Sequence, residues 1–321
     1  MSLPPAFTDD RGCFEEDAPP SGYVALQRIV VRMLFDPAFV DRVYADPRRA
    51  LEGLELDPSL VEQLVANDRR LWNADRLRRT RALNVLMEEL KVSSALALLR
   101  EERVAALDLF FSSDAFHAAV QRRRYLALAF VEFLAELFGR HGAAGAHGSA
   151  VLALEGAMAW CRREVREARR GRDADTARLA GAADGRYFAR VPGRRAVSVP
   201  GGTILLVQHI ERWLFEASLL PALSVCADAP RPDPLPPIDP EHNELWLLES
   251  AADGKVDISA LDPAWHAVAA QCERPSTRAD VEARILRDGG DPKRTWDRAE
   301  ALLDAGILRR LRVHDGVVTP C

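Results

Sequence analysis

Histidine, cysteine and the carboxylates most often carry catalysis or hold a metal, and in this chain they are scattered. The seven histidines form no HExxH pair, and the five cysteines form no CxxC motif. His141 and His147 share a glycine-rich segment but have no third ligand beside them. GxSxG, Walker A and GxGxxG motifs do not occur. The sequence therefore indicates a binding protein rather than an enzyme, with no cofactor in this chain.

Basic side chains concentrate in one helical segment between positions 162 and 172. Its arginines are Arg162, Arg163, Arg166, Arg169, Arg170 and Arg172. A solvated helix face is one interpretation. The other is a docking patch for an acidic partner or nucleic acid, whose affinity would weaken with salt. The whole chain has a net charge of −5 and a pI near 5.9, so it exerts no overall attraction on nucleic acid.

The cysteine usage and the N-terminal residues bear on location. An odd, scattered set of cysteines suits a reducing cytoplasm better than a disulfide framework. The stretch "MSLPPAFTDDRGCFEEDAPP" is acidic and rich in proline, which is unlike a signal peptide. The most apolar run, 125–138, contains Glu132 and Glu136 and is too short for a membrane span. We therefore expect a cytoplasmic protein without membrane contact.

Helical periodicity dominates the first half of the chain. After a disordered tail over 1–21, apolar spacing predicts a helical domain over 22–185. Three Asp-Pro pairs, beginning at Asp36, Asp46 and Asp57, are typical of capped helix starts. The glycine-rich segment 139–150 predicts a flexible surface loop.

The second half changes in character. Short β-like runs predict a β-containing connecting segment over 186–228, followed by a proline-rich linker over 229–240. Residues 241–321 predict two strands joined at Asp253-Gly254, three helices and a terminal hairpin, which is a winged helix. The fold class is therefore α+β, mainly α: an N-terminal helical bundle, a small β-containing segment and a C-terminal winged helix.

A winged helix binds either DNA or a peptide, and its third helix is informative. Three basic and three acidic side chains nearly cancel there, so phosphate attraction would be poor: Lys293, Arg294, Arg298, Asp297, Glu300 and Asp304. Trp296, Ala299 and Leu303 share one helical face. They form either one wall of a peptide groove or the domain's own core.

The C-terminal sequence resembles a known peptide-binding unit. "LLESAADGKVDISALDPAWHAVAAQCERPSTRADVEARI", followed by "AEALLDAGIL", looks like the RiPP recognition element. This PqqD-like winged helix binds leader peptides of ribosomally made natural products. The "ERPST" stretch departs from that family's "DG-x-T" turn.

The N-terminal "MLFDPAFVDRVYADPRRALEGLELDPSLVEQLVAND" is similar to a helical module in two other families. One comprises small subunits of protocatechuate-type extradiol dioxygenases. The other comprises partner subunits of multinuclear non-heme iron oxidases, as in methanobactin and thiaglutamate biosynthesis. The oxidase-partner family joins such a module to a peptide-binding unit, so its resemblance covers most of the chain.

The resemblance implies a non-catalytic partner that binds a precursor's leader and presents its core residue to the oxidase. The iron would reside in the oxidase, with which this chain would form a heterodimer. The expected peptide contacts are Val256 and Ile258 on the strands and Trp296, Ala299 and Leu303 on the helix. Two alternatives stay open: a winged-helix DNA-binding regulator that binds duplex salt-dependently, and a small subunit of a ring-cleaving dioxygenase, which leaves the C-terminal unit unexplained.

Overall fold

The computed structural model describes residues 22–320 except 55, 76, 172, 180–181, 217–230, 233, 288 and 316. The predicted tail over 1–21 and Arg172 thus lie outside the described residues. So do residues 217–228 of the predicted connecting segment and residues 229, 230 and 233 of the predicted linker. The described part is mixed α+β and mainly helical, as the sequence predicts. Its contacts divide the chain into an N-terminal unit, residues 1–152 and 208–234, and a C-terminal unit, residues 153–207 and 235–321.

The first nine helices belong to the N-terminal unit. They are α1 Gly22–Phe35, α2 Pro37–Ala45, α3 Pro47–Ala50, α4 Pro58–Ala66, α5 Arg78–Glu89, α6 Lys91–Glu101, α7 Ala105–Asp108, α8 Asp114–Gln121 and α9 Leu126–Arg140. Buried phenylalanines form the centre of this bundle, and the rings of Phe110 and Phe130 lie 5.0 Å apart. Two further helices, α10 Ala146–Arg169 and α12 Thr203–Glu216, contain the chain positions at which this division falls.

The predicted Asp-Pro caps are confirmed. Asp36 accepts a hydrogen bond from the Phe39 amide at 3.0 Å, and Asp46 and Asp57 cap α3 and α4 in the same way. Each carboxylate satisfies an amide that has no partner within the helix, while proline supplies a preset φ in the first turn. Short helices joined by tight turns follow from this arrangement.

The predicted flexible loop over 139–150 is wrong. Helix α9 continues to Arg140, a single 3₁₀ turn spans Gly142–Gly145, and α10 begins at Ala146. A Cβ on Gly148 would lie 2.3 Å from the Phe138 ring, and one on Gly145 would lie 2.2 Å from the Phe138 carbonyl oxygen. These glycines allow two helices to approach closely, which is a packing role rather than a source of flexibility.

The C-terminal unit contains two antiparallel sheets. Its strands are β1 Gly185–Arg190, β2 Arg194–Gly201, β3 Asp239–Ser250, β4 Val256–Ala260, β5 Ser276–Thr277, β6 Leu308–His314 and β7 Val317–Pro320. The four-stranded sheet has the order β5-β1-β6-β7, and the three-stranded sheet has the order β2-β3-β4. Its other helices are α11 Ala174–Arg178, α13 Pro263–Gln271, α14 Arg278–Arg287 and α15 Pro292–Asp304.

The predicted strands, helices and terminal hairpin of 241–321 all occur, but the predicted domain ranges divide the sheets differently from the structure. Strand β1 pairs with β6, and β2 pairs with β3 along its length. The segment over 186–228 therefore supplies two strands to the C-terminal unit instead of only connecting two domains. The last two residues of the predicted linker, 229–240, belong to β3, which begins at Asp239. Long-range strand pairing is the cause, and it leaves no local signal in the sequence.

No helix in the described ranges is both long and apolar enough to cross a membrane.

Candidate functional site

The three-stranded sheet has two faces with different surroundings. Leu245 and Leu247 of β3 pack into a core with α13, α14 and α15. Trp246 and Leu248 pack on the opposite side, against residues of α10 such as Leu154. This alternation is the normal period of two along a strand. We call the two sides the groove face and the α10 face.

The structure separates the two sets of predicted peptide contacts. Val256 and Ile258 lie half-buried on the α10 face, where Ile258 pairs with Leu248. Trp296 and Ala299 belong to the core on the groove face and are only 7% and 1% exposed. Leu303 is half-buried at the margin of that core. The five side chains therefore do not meet in one groove.

Trp296 is held inside the domain by specific contacts. Its ring lies 4.9 Å from the Phe188 ring, and its indole N–H donates to Glu282 at 2.7 Å. Arg278 covers the ring at 4.8 Å. The sequence left two interpretations of this helical face, a wall of a peptide groove or the domain's own core. Trp296 and Ala299 belong to the core.

A groove does open on the same face, but other residues line it. It has a volume of about 410 Å³ and lies between the strands β3 and β4, the start of α13 and the end of α15. Its lining consists of Leu247, Glu249, Ser259, Ala260, Leu261, Asp262, Trp265, Ala305 and Ile307. Apolar side chains surrounded by a few polar groups are typical of a binding site.

Strand β4 forms a free edge along this groove. Within the described part of the chain, it pairs only with β3. The Leu261 amide donates to the Leu245 carbonyl at 2.9 Å, and the Ala251 amide donates to the Lys255 carbonyl at 2.7 Å. Hydrogen-bonded and non-bonded pairs alternate in an antiparallel ladder, so the odd-numbered residues of β4 bond to β3.

The even-numbered residues of β4 consequently direct their backbone N–H and C=O groups outward. These residues are Val256, Ile258 and Ala260. Unpaired groups in a row are a template for another strand. Val256 and Ile258 could thus contact an added strand through their backbone, although their side chains lie on the α10 face.

Arg194 fixes one end of the groove. Its guanidinium donates to the Ala305 carbonyl at 2.9 Å and pairs with Glu249 at 3.0 Å. It therefore satisfies a carbonyl just beyond α15 and joins that end to the sheet. Gly306 has φ of 69°, and a Cβ there would lie 2.8 Å from Arg194 Nη1. The positive φ is the reason that the turn after α15 needs glycine, because the Arg194 guanidinium ends a flexible side chain that can move aside.

A buried ion pair supports the α10 face. Glu164 accepts two hydrogen bonds from Arg190, at 2.6 and 2.7 Å, one from the Gly193 amide at 3.0 Å and one from Trp160 at 2.6 Å. Burial disfavours the charged carboxylate, but the attraction of Arg190 outweighs it and lowers the pKa of Glu164 to about 2. Beside it, burial raises the pKa of the Cys161 thiol to about 12, so this cysteine is not a nucleophile.

The arginine segment of α10 has largely structural contacts. Arg162 donates to the Gly254 carbonyl in the β3–β4 turn at 2.9 Å. Arg163 is 8% exposed and covers the Trp160 ring at 5.0 Å. Arg170 pairs with Glu167 at 3.4 Å. These contacts favour neither a continuous basic face nor a phosphate-binding surface.

The N-terminal unit holds a buried polar cluster around Asp36. Its carboxylate lies 3.8 Å from Arg32, 3.8 Å from Arg42 and 3.7 Å from His117 Nε2. Burial, followed by repulsion from Arg32, lowers the pKa of His117 to about 4, so the imidazole is neutral at pH 7. The cluster ties α1, α2 and α8 together.

One group of potential metal ligands occurs among the described residues. Asp184, His314 and Asp315 bring ligand atoms within 4.8 Å of one another beside the β6–β7 turn, and all three are exposed. The two imidazole nitrogens face different carboxylates, with Nδ1 3.3 Å from Asp184 and Nε2 3.6 Å from Asp315. His314 thus lies between the two carboxylates, and exposed acidic groups of this kind are common without a metal ion.

Sequence reasoning missed the residues that line the groove, notably Leu261, Trp265 and Ile307. A signal was available in the strand period: Val256 and Ile258 alternate with Asp257 and Ser259, so only one pair can share a face with Leu247. No known protein family and no curated protein matches the chain in sequence.

Proposed function

We propose that this chain is the leader-binding partner of an iron-dependent peptide-modifying oxidase, with catalysis and iron in the companion protein. The observation that carries the proposal is the free edge of β4 beside a groove that is lined by both apolar and polar side chains. An extended peptide that adds to such an edge gains backbone hydrogen bonds, and its alternate side chains enter the groove. The sequence resemblance is the reason for naming an oxidase and a ribosomally made precursor as the partners.

The winged-helix arrangement belongs to the same proposal. The order of elements supports it: β3 and β4 come first, then α13 to α15, then the hairpin of β6 and β7, as in the predicted winged helix. Strand β2, from outside the predicted domain, adds a third strand to the first sheet. The charge balance of α15 and the contacts of the α10 arginines support a peptide ligand over a nucleic acid. In this reading Leu303 borders the bound peptide, while Trp296 and Ala299 support the helix from inside.

The edge can be tested without disturbing the sheet. Ala260 is exposed and its N–H points outward, so Ala260→Pro removes a donor to the ligand without removing a β3–β4 hydrogen bond. Ala260→Ser is the matched control, because serine keeps the amide. Each variant is co-expressed with any iron-dependent oxidase and any short precursor peptide whose genes adjoin its own.

Wild type and Ala260→Ser are expected to co-purify both proteins, whereas Ala260→Pro keeps the oxidase and binds the leader at least about tenfold more weakly. Failure of the wild-type chain to capture either partner would contradict the proposal. So would leader binding by Ala260→Pro with unchanged affinity.

A further inference from the structure

The edge of β4 carries a charge pattern that can select its ligand. Lys255, Asp257 and Ser259 occupy successive odd positions, on the same side of the sheet as Glu249 and Leu247. Their side chains therefore lie on the groove face, and all three residues are exposed. Lys255 and Asp257 pair with each other at 3.2 Å, with 72% and 66% of their side chains exposed. So exposed a pair is weak enough for a ligand to replace.

We infer that the groove selects an extended peptide with the order apolar, basic, acidic at alternate positions. This inference rests on the proposed function. Every strand pairing in this sheet is antiparallel, and we take an added strand to follow the same rule. Its residues opposite Ser259, Asp257 and Lys255 then occur in that order from the N-terminus, each separated by one residue.

The three positions follow from what each peptide side chain would meet. The one opposite Ser259 lies over the groove, beside Leu261 and Trp265, and is apolar. The next, opposite Asp257, is lysine or arginine, and the third, opposite Lys255, is aspartate or glutamate. Directly opposed unlike charges stabilise a strand pair, and like charges destabilise it.

A second copy of this chain does not satisfy the groove. Its own β4 could pair antiparallel about Val256, which sets Lys255 opposite Asp257 of the other copy. The same register sets Ser259 opposite Asp253, an acidic turn residue that does not complement the Leu261 and Trp265 side chains of the groove. A separate peptide can carry an apolar side chain at that position, so it fits both features.

The test uses the full-length protein and fluorescein-labelled nonapeptides in anisotropy titrations. The matched peptide is Ser-Thr-Leu-Thr-Lys-Thr-Glu-Thr-Ser. A charge-swapped peptide exchanges its lysine and glutamate, and a third replaces leucine by alanine. The protein variants are the double swap Lys255→Asp with Asp257→Lys, and Ala260→Pro.

Wild type is expected to bind the matched peptide about three- to tenfold more tightly than the charge-swapped one, and at least tenfold more tightly than the alanine peptide. The double swap is expected to reverse the charge preference, and Ala260→Pro to weaken all three peptides. Reversal is a readout that a merely damaged sheet would not give.

Equal affinity for the two charge orders, with weakening by Ala260→Pro, would overturn the charge selection and leave edge binding intact. The inference would be overturned if no peptide bound, or if Ala260→Pro bound the peptides as tightly as wild type. The proposed function would then still be tested separately, by co-purification with the precursor. Self-association through β4, detected as a dimer by light scattering that Ala260→Pro makes monomeric, would also overturn it.

Discussion

The two faces of the three-stranded sheet differ in what covers them. On the α10 face, Leu154, Cys161, Val199 and Leu248 are all inaccessible to solvent, and a buried ion pair lies beside them. On the groove face, the core is continuous under β3 but leaves about 410 Å³ open beside β4. One face can therefore hold the sheet rigid while the other stays available to a ligand, which is how pre-organised binding sites keep their ordering cost low.

The largest effect is expected where the α10 face holds a charge. Glu164→Gln keeps the shape of the side chain but leaves Arg190 buried without its counter-charge. Breaking one partner of a buried pair costs about 3–5 kcal/mol in the free energy of unfolding. Urea unfolding followed by circular dichroism measures it. Glu300→Gln is the control, because its pair with Arg310 is exposed and the change should stay within about 1 kcal/mol.

Acid should remove the same contribution from the wild-type chain. The pKa of Glu164 is about 2 in the folded protein, against 4.5 for the ordinary side chain, so folding favours the ionised form. Its stabilisation is complete above pH 4.5 and decreases as the pH falls toward 2. In Glu164→Gln this part of the pH dependence should be absent. Equal slopes of unfolding free energy against pH for the two proteins below pH 4.5 would contradict this assignment.

Neighbouring leucines of β3 test the two faces directly. Leu248→Ala leaves a closed cavity on the α10 face and should cost about 2–5 kcal/mol. Leu247→Ala enlarges a groove that is already open, so water can enter, and should cost about 1–2 kcal/mol. Peptide affinity should change in the opposite order, falling for Leu247→Ala and staying within twofold for Leu248→Ala. Thermal unfolding and anisotropy titrations measure the two quantities.

The elements of the C-terminal unit were predictable because their signals are local. Asp262 and Asp291 cap helices before proline, and Asp253-Gly254 makes the turn between β3 and β4. The pairing of β1 with β6 was not predictable, since about 120 residues separate the strands and nothing local specifies their register. The five predicted contacts and the residues that line the groove belong to the same unit but are different residues. Periodicity placed Trp296 on an apolar face, and only packing against Phe188 shows that this face points inward.

A small effect on stability, similar to that of Leu247→Ala, and a clear effect on binding are expected at Trp265. This side chain is half-buried where α13 begins, and it lines the groove. Trp265→Ala should cost only about 1–2 kcal/mol in unfolding free energy, because part of the ring already contacts solvent. Affinity for the matched peptide should fall at least about fivefold, since the apolar position loses its aromatic wall. His266→Ala is the control: it changes the next residue of the same helix, which is also half-buried but does not line the groove. If both variants weaken peptide binding equally, the effect comes from a change in α13 as a whole. Contact of the peptide with the groove lining would then be contradicted.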